Sequence, residues 1–435
     1  MTAIAIVERI PPVLLFVLGS SALAGAQQAP AGQADPPPTV REQALEERVR
    51  ALEERLRSEP GKGGEPTTQP TETSPIPHWV SAALERVEVH GVGAGGYTYD
   101  LVDPRVRRGA LLTRVSDLDH DTFSPTFFKL GLTRRTVEEN EWDAGLRVEV
   151  AAGTMVGDTL SADPQFLGGD DINLANAYVE LQMPAPWGRP LRARVGRSYG
   201  WFSLDSLDLY DAPLYSMSWF GNYSPFTNTG VFLETELLPG LSYMQYVGNG
   251  AEVVVDNNDS KTVGGKLCWT PSDRLSLVAN WIWGAERPEN EHDARWMVEL
   301  DATWQAASAT QMLVMLRYGQ EEGQALSGGT AKFGGASLCV RQGLISAREG
   351  EEEWQRLSII GRGTWFRDQG GVNSGLDQAL YEGTVGLELR PVSCAWLRIE
   401  YRFDLSSRAN AFLGHRGGQT RRHQDTITIG VSCAF

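Results

Sequence analysis

From about Arg86 to Phe435 the chain alternates between apolar and polar residues with a period of two. Trp142-Asp143-Ala144-Gly145-Leu146-Arg147-Val148-Glu149-Val150 sets apolar groups on one face and charges on the other. Trp296–Trp304 and Leu397–Asp404 repeat the scheme. A helix would scramble these faces, whereas a strand separates them. Hydrophobic residues at 41% and charged residues at 22% exclude a mainly disordered chain. Glycine at 47 and tryptophan at 13 suit strands and tight turns. The only apolar run that suggests a membrane helix lies at the N-terminus, which excludes a polytopic helical membrane protein.

The pattern divides into sixteen strands: 86–97, 122–135, 142–152, 173–183, 191–199, 228–238, 241–249, 261–270, 274–284, 295–304, 310–320, 331–343, 354–366, 379–390, 394–405 and 424–435. Short joins rich in breakers, such as Pro184–Pro190, Pro239-Gly240, Pro271–Asp273 and Pro391–Ser393, alternate with longer ones. An even strand number with that alternation is the requirement of an all-β, transmembrane antiparallel barrel. A soluble sandwich would bury the same apolar faces in a core, so alternation alone leaves both open. Two features separate them. On the apolar faces, Trp269, Trp281, Trp283, Trp296, Trp304 and Trp365 fall near strand ends, where an interfacial girdle places amphipathic rings. The last strand, Ile427, Ile429, Val431, Cys433 and Phe435, alternates to an aromatic final residue and so resembles the terminal strand of bacterial outer-membrane barrels.

The N-terminal region reads differently. Residues 1–26 have the layout of a secretory signal: Arg9, a short apolar core, and Ala24-Gly25-Ala26 as a small-x-small cleavage site. Residues 40–58 place Leu45, Val49, Leu52 and Leu56 on one helical seam flanked by Glu and Arg, the stripe of a short coiled coil. A helix this short is marginal alone and calls for partner helices. Residues 59–79 are a Pro/Gly/Thr-rich linker, and residues 84–435 are the barrel.

A signal peptide, a short coiled coil, a linker and a barrel ending in Phe435 together resemble a Gram-negative outer-membrane porin. The middle of the chain resembles the OmpL-like porin-2 family of β-barrel porins. The residues that carry this are Ser216–Gly230, with Pro225-Phe226-Thr227-Asn228-Thr229-Gly230, then Val247–Gly250, then Asp256–Thr262. The resemblance implies location in the outer membrane after export, contact with its lipid, a homotrimer, and passive diffusion of small hydrophilic solutes or ions. It also implies that terminal Phe435 serves as an assembly signal. By analogy with general porins, the third long loop, Gly200–Thr227, would fold into the barrel and set Asp205, Asp208 and Asp211 against wall arginines; the alternative is an external loop whose acids bind only water.

With odd positions toward lipid in most strands, the lumen receives Arg192, Arg194, Arg356, Arg362, Arg398 and Arg402, together with Glu299, Asp301, Glu388, Glu400 and Asp404. A water-filled channel tolerates such mixed charge. Acidic residues outnumber basic ones 55 to 39, the reverse of a nucleic-acid binder. Gly91–Gly96 fits GxGxxG but lies in a strand without a βαβ unit, and Gly196–Gly200 fits GxSxG without a strand-to-helix elbow. Six scattered histidines and four widely spaced cysteines, Cys268, Cys339, Cys394 and Cys433, give no metal spacing, and the cysteines read as strand-buried thiols. No cofactor and no enzymatic activity are expected. The other readings are an envelope tether working through the coiled coil and a barrel-form outer-membrane enzyme.

Deleting residues 40–58 should weaken but not abolish oligomers in mild detergent, because barrel-to-barrel contact carries most of the area. A monomeric full-length protein on size exclusion would contradict the seam and the trimer together.

Overall fold

A computed structural model describes residues 86–160, 171–349, 352–416 and 419–435. The signal peptide, the coiled-coil seam Leu45/Val49/Leu52/Leu56 and the linker lie outside the described residues.

The barrel strands are β1 (Val87–Asp100), β2 (Thr122–Arg134), β3 (Asp143–Ala152), β4 (Ile172–Met183), β5 (Leu191–Tyr199), β6 (Thr227–Leu238), β7 (Leu241–Ala251) and β8 (Thr262–Ser272). They continue with β9 (Leu275–Ala285), β10 (Ala294–Ala307), β11 (Thr310–Glu321), β12 (Ala331–Glu349), β13 (Glu352–Gln369), β14 (Gln378–Val392) and β15 (Ala395–Ser406). Two-residue strands β16 (Phe412–Leu413) and β17 (Thr420–Arg421) pair in a loop, and β18 (His423–Ala434) ends the chain. Each barrel strand pairs antiparallel with its sequence neighbour, and β18 pairs with both β15 and β1. The result is a closed barrel of sixteen strands. Two short helices, α1 (Thr154–Thr159) and α2 (Trp219–Asn222), sit in the second and third long loops.

Closure answers the solvent: lipid offers no partner to a backbone N–H or C=O, so every strand edge must be paired. The last bonds of the seam join Gly91 and Phe435 in both directions, N to O at 3.0 Å each way. A Cβ on Gly91 would stand 2.6 Å from the Phe435 ring, so glycine here makes room for the terminal aromatic. Turns at one rim are tight. Gly240 takes φ +74 and donates to Glu236 Oε1 at 2.8 Å, while Gln305 Nε2 donates to Ala307 O at 2.7 Å. Both barrel ends, Val87 and Ala434, lie at this short-turn rim, and connections 101–121, 200–226, 252–261 and 407–422 gather at the other.

The faces are inverted relative to a soluble fold. In β10, Val298 is 44% and Leu300 58% exposed, whereas Glu299 is 1% and Asp301 5% exposed. A sandwich would bury the valine and the leucine. An outer apolar belt around an inner polar wall is the arrangement lipid stabilises.

Odd positions face outward in most strands, but β2, β3, β10, β11 and β12 turn even positions outward, as Leu130, Val148, Leu300, Leu316 and Leu338 show. Trp296 and Trp304 therefore share the lipid face with odd-numbered Trp269, Trp283 and Trp365. Register places Trp283 opposite Trp296 at the loop end, near exposed Tyr318, Trp365 and Tyr381. Trp142, Trp187, Trp269, Trp304 and Phe435 mark the other end. Trp281 is a correction: it stands mid-strand in β9, opposite Gly265 and Val298, where glycine leaves room for its indole. The cysteines are another. Cys339 is buried, Cys268 is half-buried, and Cys394 and Cys433 are exposed at the short-turn rim.

Val298→Arg should cost roughly 2–4 kcal/mol of barrel stability if it stands near the bilayer midplane, read by urea unfolding in liposomes. Glu299→Gln, one residue along, should leave insertion intact. Equal damage to insertion from both would contradict the lipid-facing assignment.

Candidate functional site

The longest connection, residues 200–226 between β5 and β6, enters the barrel. Its two legs meet where Gly200 N donates to Phe226 O at 2.9 Å, and a Cβ on Gly200 would lie 1.9 Å from Pro225 O. Only glycine allows that approach. Beyond it, residues 214–227 are buried without interruption. Ser218 caps α2, accepting from Phe220 N at 3.1 Å, and Asp205 Oδ2 accepts from Ser218 N at 3.1 Å and from the Ser218 hydroxyl. A serine cap on a carboxylate fixes the fold of the loop before the wall is reached.

The wall then grips the backbone of the loop. On β11, Arg317 Nη1 donates to Phe220 O and Tyr223 O, both at 3.0 Å, and Nη2 to Ser224 Oγ at 2.6 Å. Its Nε is held by Glu299 at 2.7 Å, and Glu299 also accepts from Ser203 N at 2.5 Å. On β13, Arg362 donates to Ser216 O at 2.8 Å, Glu382 at 2.7 Å and Asp205 at 3.4 Å. On β15, Arg402 donates to Met217 O at 2.6 Å and Asp404 at 2.8 Å, with its guanidinium 4.7 Å from the Trp219 ring centre. Glu400 accepts from Tyr215 N, Ser216 N and Ser216 Oγ. Across the lumen, Lys129 on β2 donates to Asp208 at 2.5 Å. The apolar side chains follow the same plan. Trp219, Phe220 and Tyr223 seat against Met297, Met315, Phe333, Phe366 and Leu380 of the inner wall. Leu207, Leu209 and Tyr215 pack toward Ala94, Phe127 and Trp396.

Inside a barrel, a charge without a partner is costly, and fully bonded pairs are retained. Here carboxylates and carbonyls of the loop complete the wall arginines. Loss of solvation and the nearby Asp208 charge raise the Asp211 carboxyl, with Lys129 and Arg390 opposing. Burial likewise raises Glu252, which accepts from Phe226 N at 3.1 Å where the loop rejoins the wall.

The predicted residues separate into groups. The structure brings together Asp205, Arg362, Glu299, Glu400 and Arg402, all on or against the loop. Asp208 meets Lys129. Neither acid meets Arg192 or Arg194, a correction with a simple cause. By residue 205 the loop has left β5 and reached β11 and β13, while Arg192 donates to Gln182 at 3.1 Å and Arg194 to Glu234 at 2.9 Å. Arg398 joins Arg341 and Arg390 around Glu388. Asp301 accepts from Asn280 at 2.8 Å. Arg356 is exposed on the part of β13 that pairs with β12 alone, before β14 joins at Leu357. Sequence reasoning missed Arg317, Lys129 and Glu382. Each is a single charge between apolar neighbours, as in Leu316-Arg317-Tyr318 and Phe128-Lys129-Leu130, and that isolation was the available signal. Among the described residues no cluster of His, Cys, Asp and Glu could hold a metal.

The family "Putative beta-barrel porin-2, OmpL-like" matches residues 86–435, and the chain belongs to it. No curated protein sequence matches the chain. Among solved structures it is similar to the anion-selective porin from Comamonas acidovorans, at 13% identity and TM-score 0.53, covering 80% of this chain and 99% of that one. It is also similar to OmpF of Salmonella typhi, at 12% identity and TM-score 0.51, over 80% and 97% of the two chains. OmpT of Vibrio cholerae in its trimer form matches at 10% identity and TM-score 0.50, over 80% and 99%. These likenesses share the fold.

Arg317→Ala should release the loop, since it strands Glu299 and two carbonyls at once. Losing one partner of a buried pair costs about 3–5 kcal/mol. Single-channel conductance should rise and become noisier, while heat-modifiable gel migration of the barrel stays unchanged. Unaltered conductance would mean that the loop does not narrow the path.

Proposed function

With membership of that β-barrel porin family as the premise, we propose that this protein is a passive outer-membrane channel for small hydrophilic solutes, narrowed by its third loop. The observation that carries the reading is a closed sixteen-strand wall with charges inside and apolar residues outside, crossed by a loop held at both sides of the lumen. A narrow, charge-lined passage lets a few fixed groups bias which solutes pass. The pore-lining set of this reading is Arg192, Arg194, Glu299, Asp301, Arg362, Arg398, Glu400 and Arg402, with Asp205, Asp208 and Asp211 from the loop. Export through a cleaved signal peptide and assembly as a homotrimer belong to the same proposal; the trimer draws on the trimer form of the Vibrio OmpT. Phe435, bonded to Gly91 at the seam, is the proposed assembly signal.

Purified protein in a planar bilayer should give discrete conductance steps, and liposomes containing it should swell in small sugars. The acids of the loop now carry a second expectation. Asp205→Asn removes the carboxylate charge that holds the cap residue Ser218 and binds Arg362, so conductance should change along with selectivity. Asp211→Asn, whose carboxylate caps nothing, should alter selectivity alone. Wild-type protein that inserts but neither conducts nor swells vesicles would overturn the channel.

A further inference from the structure

The loop does not grip the wall evenly. Its polar anchors fall on β2, β10, β11, β13 and β15, and among the described residues none of its hydrogen bonds reaches β6, β7 or β8. In that neglected sector lies a cavity of about 310 Å³, lined by residues of β5–β8 and by Tyr199–Trp201 at the base of the loop. A second cavity of about 370 Å³ shares Tyr199 and Gly200 with it and continues along the loop past Asp205 and Phe226. Both are of the size that takes a small solute.

The chemistry of the first cavity is unbalanced. Its lining holds two cations, Arg194 and Lys266, against one carboxylate, Glu234, and Arg194 already pairs with that carboxylate at 2.9 Å. Among the described residues the Lys266 ammonium has no carboxylate within 4.0 Å. Trp201 and Tyr243 supply flat apolar surface. An unpaired cation and aromatic faces around one space fit a carboxylate attached to a small planar body.

We propose that solutes cross in the β5–β8 sector and that Lys266 with Trp201 forms a station there for small organic monoanions of the aryl-carboxylate class. The proposal rests on the channel reading and deepens it. On the other walls Arg317, Arg362 and Arg402 are bonded to loop carbonyls and Arg398 to Glu388, and all four are buried away from a passing anion.

Cys268 lines the same cavity and gives a built-in probe. In a chain with Cys339, Cys394 and Cys433 replaced by serine, in liposomes, Cys268 is labelled with a negatively or a positively charged methanethiosulfonate and the extent is read by mass spectrometry. The anionic reagent should react faster by roughly threefold or more, the Coulomb effect of one nearby unit charge in a wet lumen. Lys266→Gln should bring the ratio to unity or below, and Lys266→Arg should restore it. Benzoate should slow labelling in the parent chain and not in Lys266→Gln. Equal rates for both reagents in the parent, or a ratio indifferent to Lys266→Gln in a barrel that still shows heat-modifiable migration, would overturn the station. Conductance recorded on the same protein keeps the two ideas apart. A conducting channel with an indifferent Cys268 rejects the β5–β8 station and leaves the porin; a labelled, benzoate-protected Cys268 in a protein that never conducts rejects the porin.

Discussion

The structure depends on one constraint: in lipid the backbone must find all its hydrogen bonds within the chain. For strands that means closure, and closure here is made by the last strand returning to the first, ending in the reciprocal Gly91–Phe435 bonds. Once the sheet closes, each strand has one face toward lipid and one toward the lumen. Val298 and Leu300 lie outside and Glu299 and Asp301 inside because of that geometry. The aromatic rows at the two rims follow as well, since amphipathic rings settle at the two interfaces of the belt.

Closure creates a second problem. A wall bearing Arg317, Arg362, Arg402, Glu299, Glu382 and Glu400 is stable only if those groups are hydrated or paired. The third loop supplies part of the pairing with its backbone. Carbonyls of Ser216, Met217, Phe220 and Tyr223 accept from arginines, and the N–H groups of Ser203, Tyr215 and Ser216 donate to glutamates. Backbone groups left without partners by leaving the sheet are thus satisfied by charges left without water by facing inward. The two deficits cancel, so the loop stays inside the barrel instead of standing in solvent.

Much of this was legible in the sequence and some was not, for physical reasons. Alternation revealed the strands because one face meets lipid over the whole barrel, and the sixteen segments follow the sixteen barrel strands closely. Numerical parity did not extend to every strand, because bulges such as those near Pro125–Thr126 in β2 and at Ala175 in β4 shift which positions face in. The inward direction of Arg194 was readable from its own strand, yet its partner was not. Which wall the loop reaches is a three-dimensional matter, and Asp205 travels past β5 to Arg362. Trp281 and Arg356 illustrate the same limit: a position relative to a strand end says little when neighbouring strands differ in length, as β13 at 18 residues and β14 at 15 do.

The same accounting explains why one sector of the lumen differs from the rest. A loop of fixed length that seats Phe202, Trp219, Phe220 and Tyr223 on β9–β14 and its lysine-bound acid on β2 reaches β6–β8 only with the Trp201 ring, and none of its described hydrogen bonds falls there. The inner wall there is correspondingly poor in groups that would need it: Met244, Tyr246, Gly264 and Cys268 stand where the opposite wall carries arginines and glutamates. Lys266 is the exception, a cation that the loop does not complete. In a wall whose other charges are bonded to loop backbone or to one another, a solitary ammonium facing open space retains its full capacity for a mobile partner, and a channel wall can hold such a partner only as long as it passes.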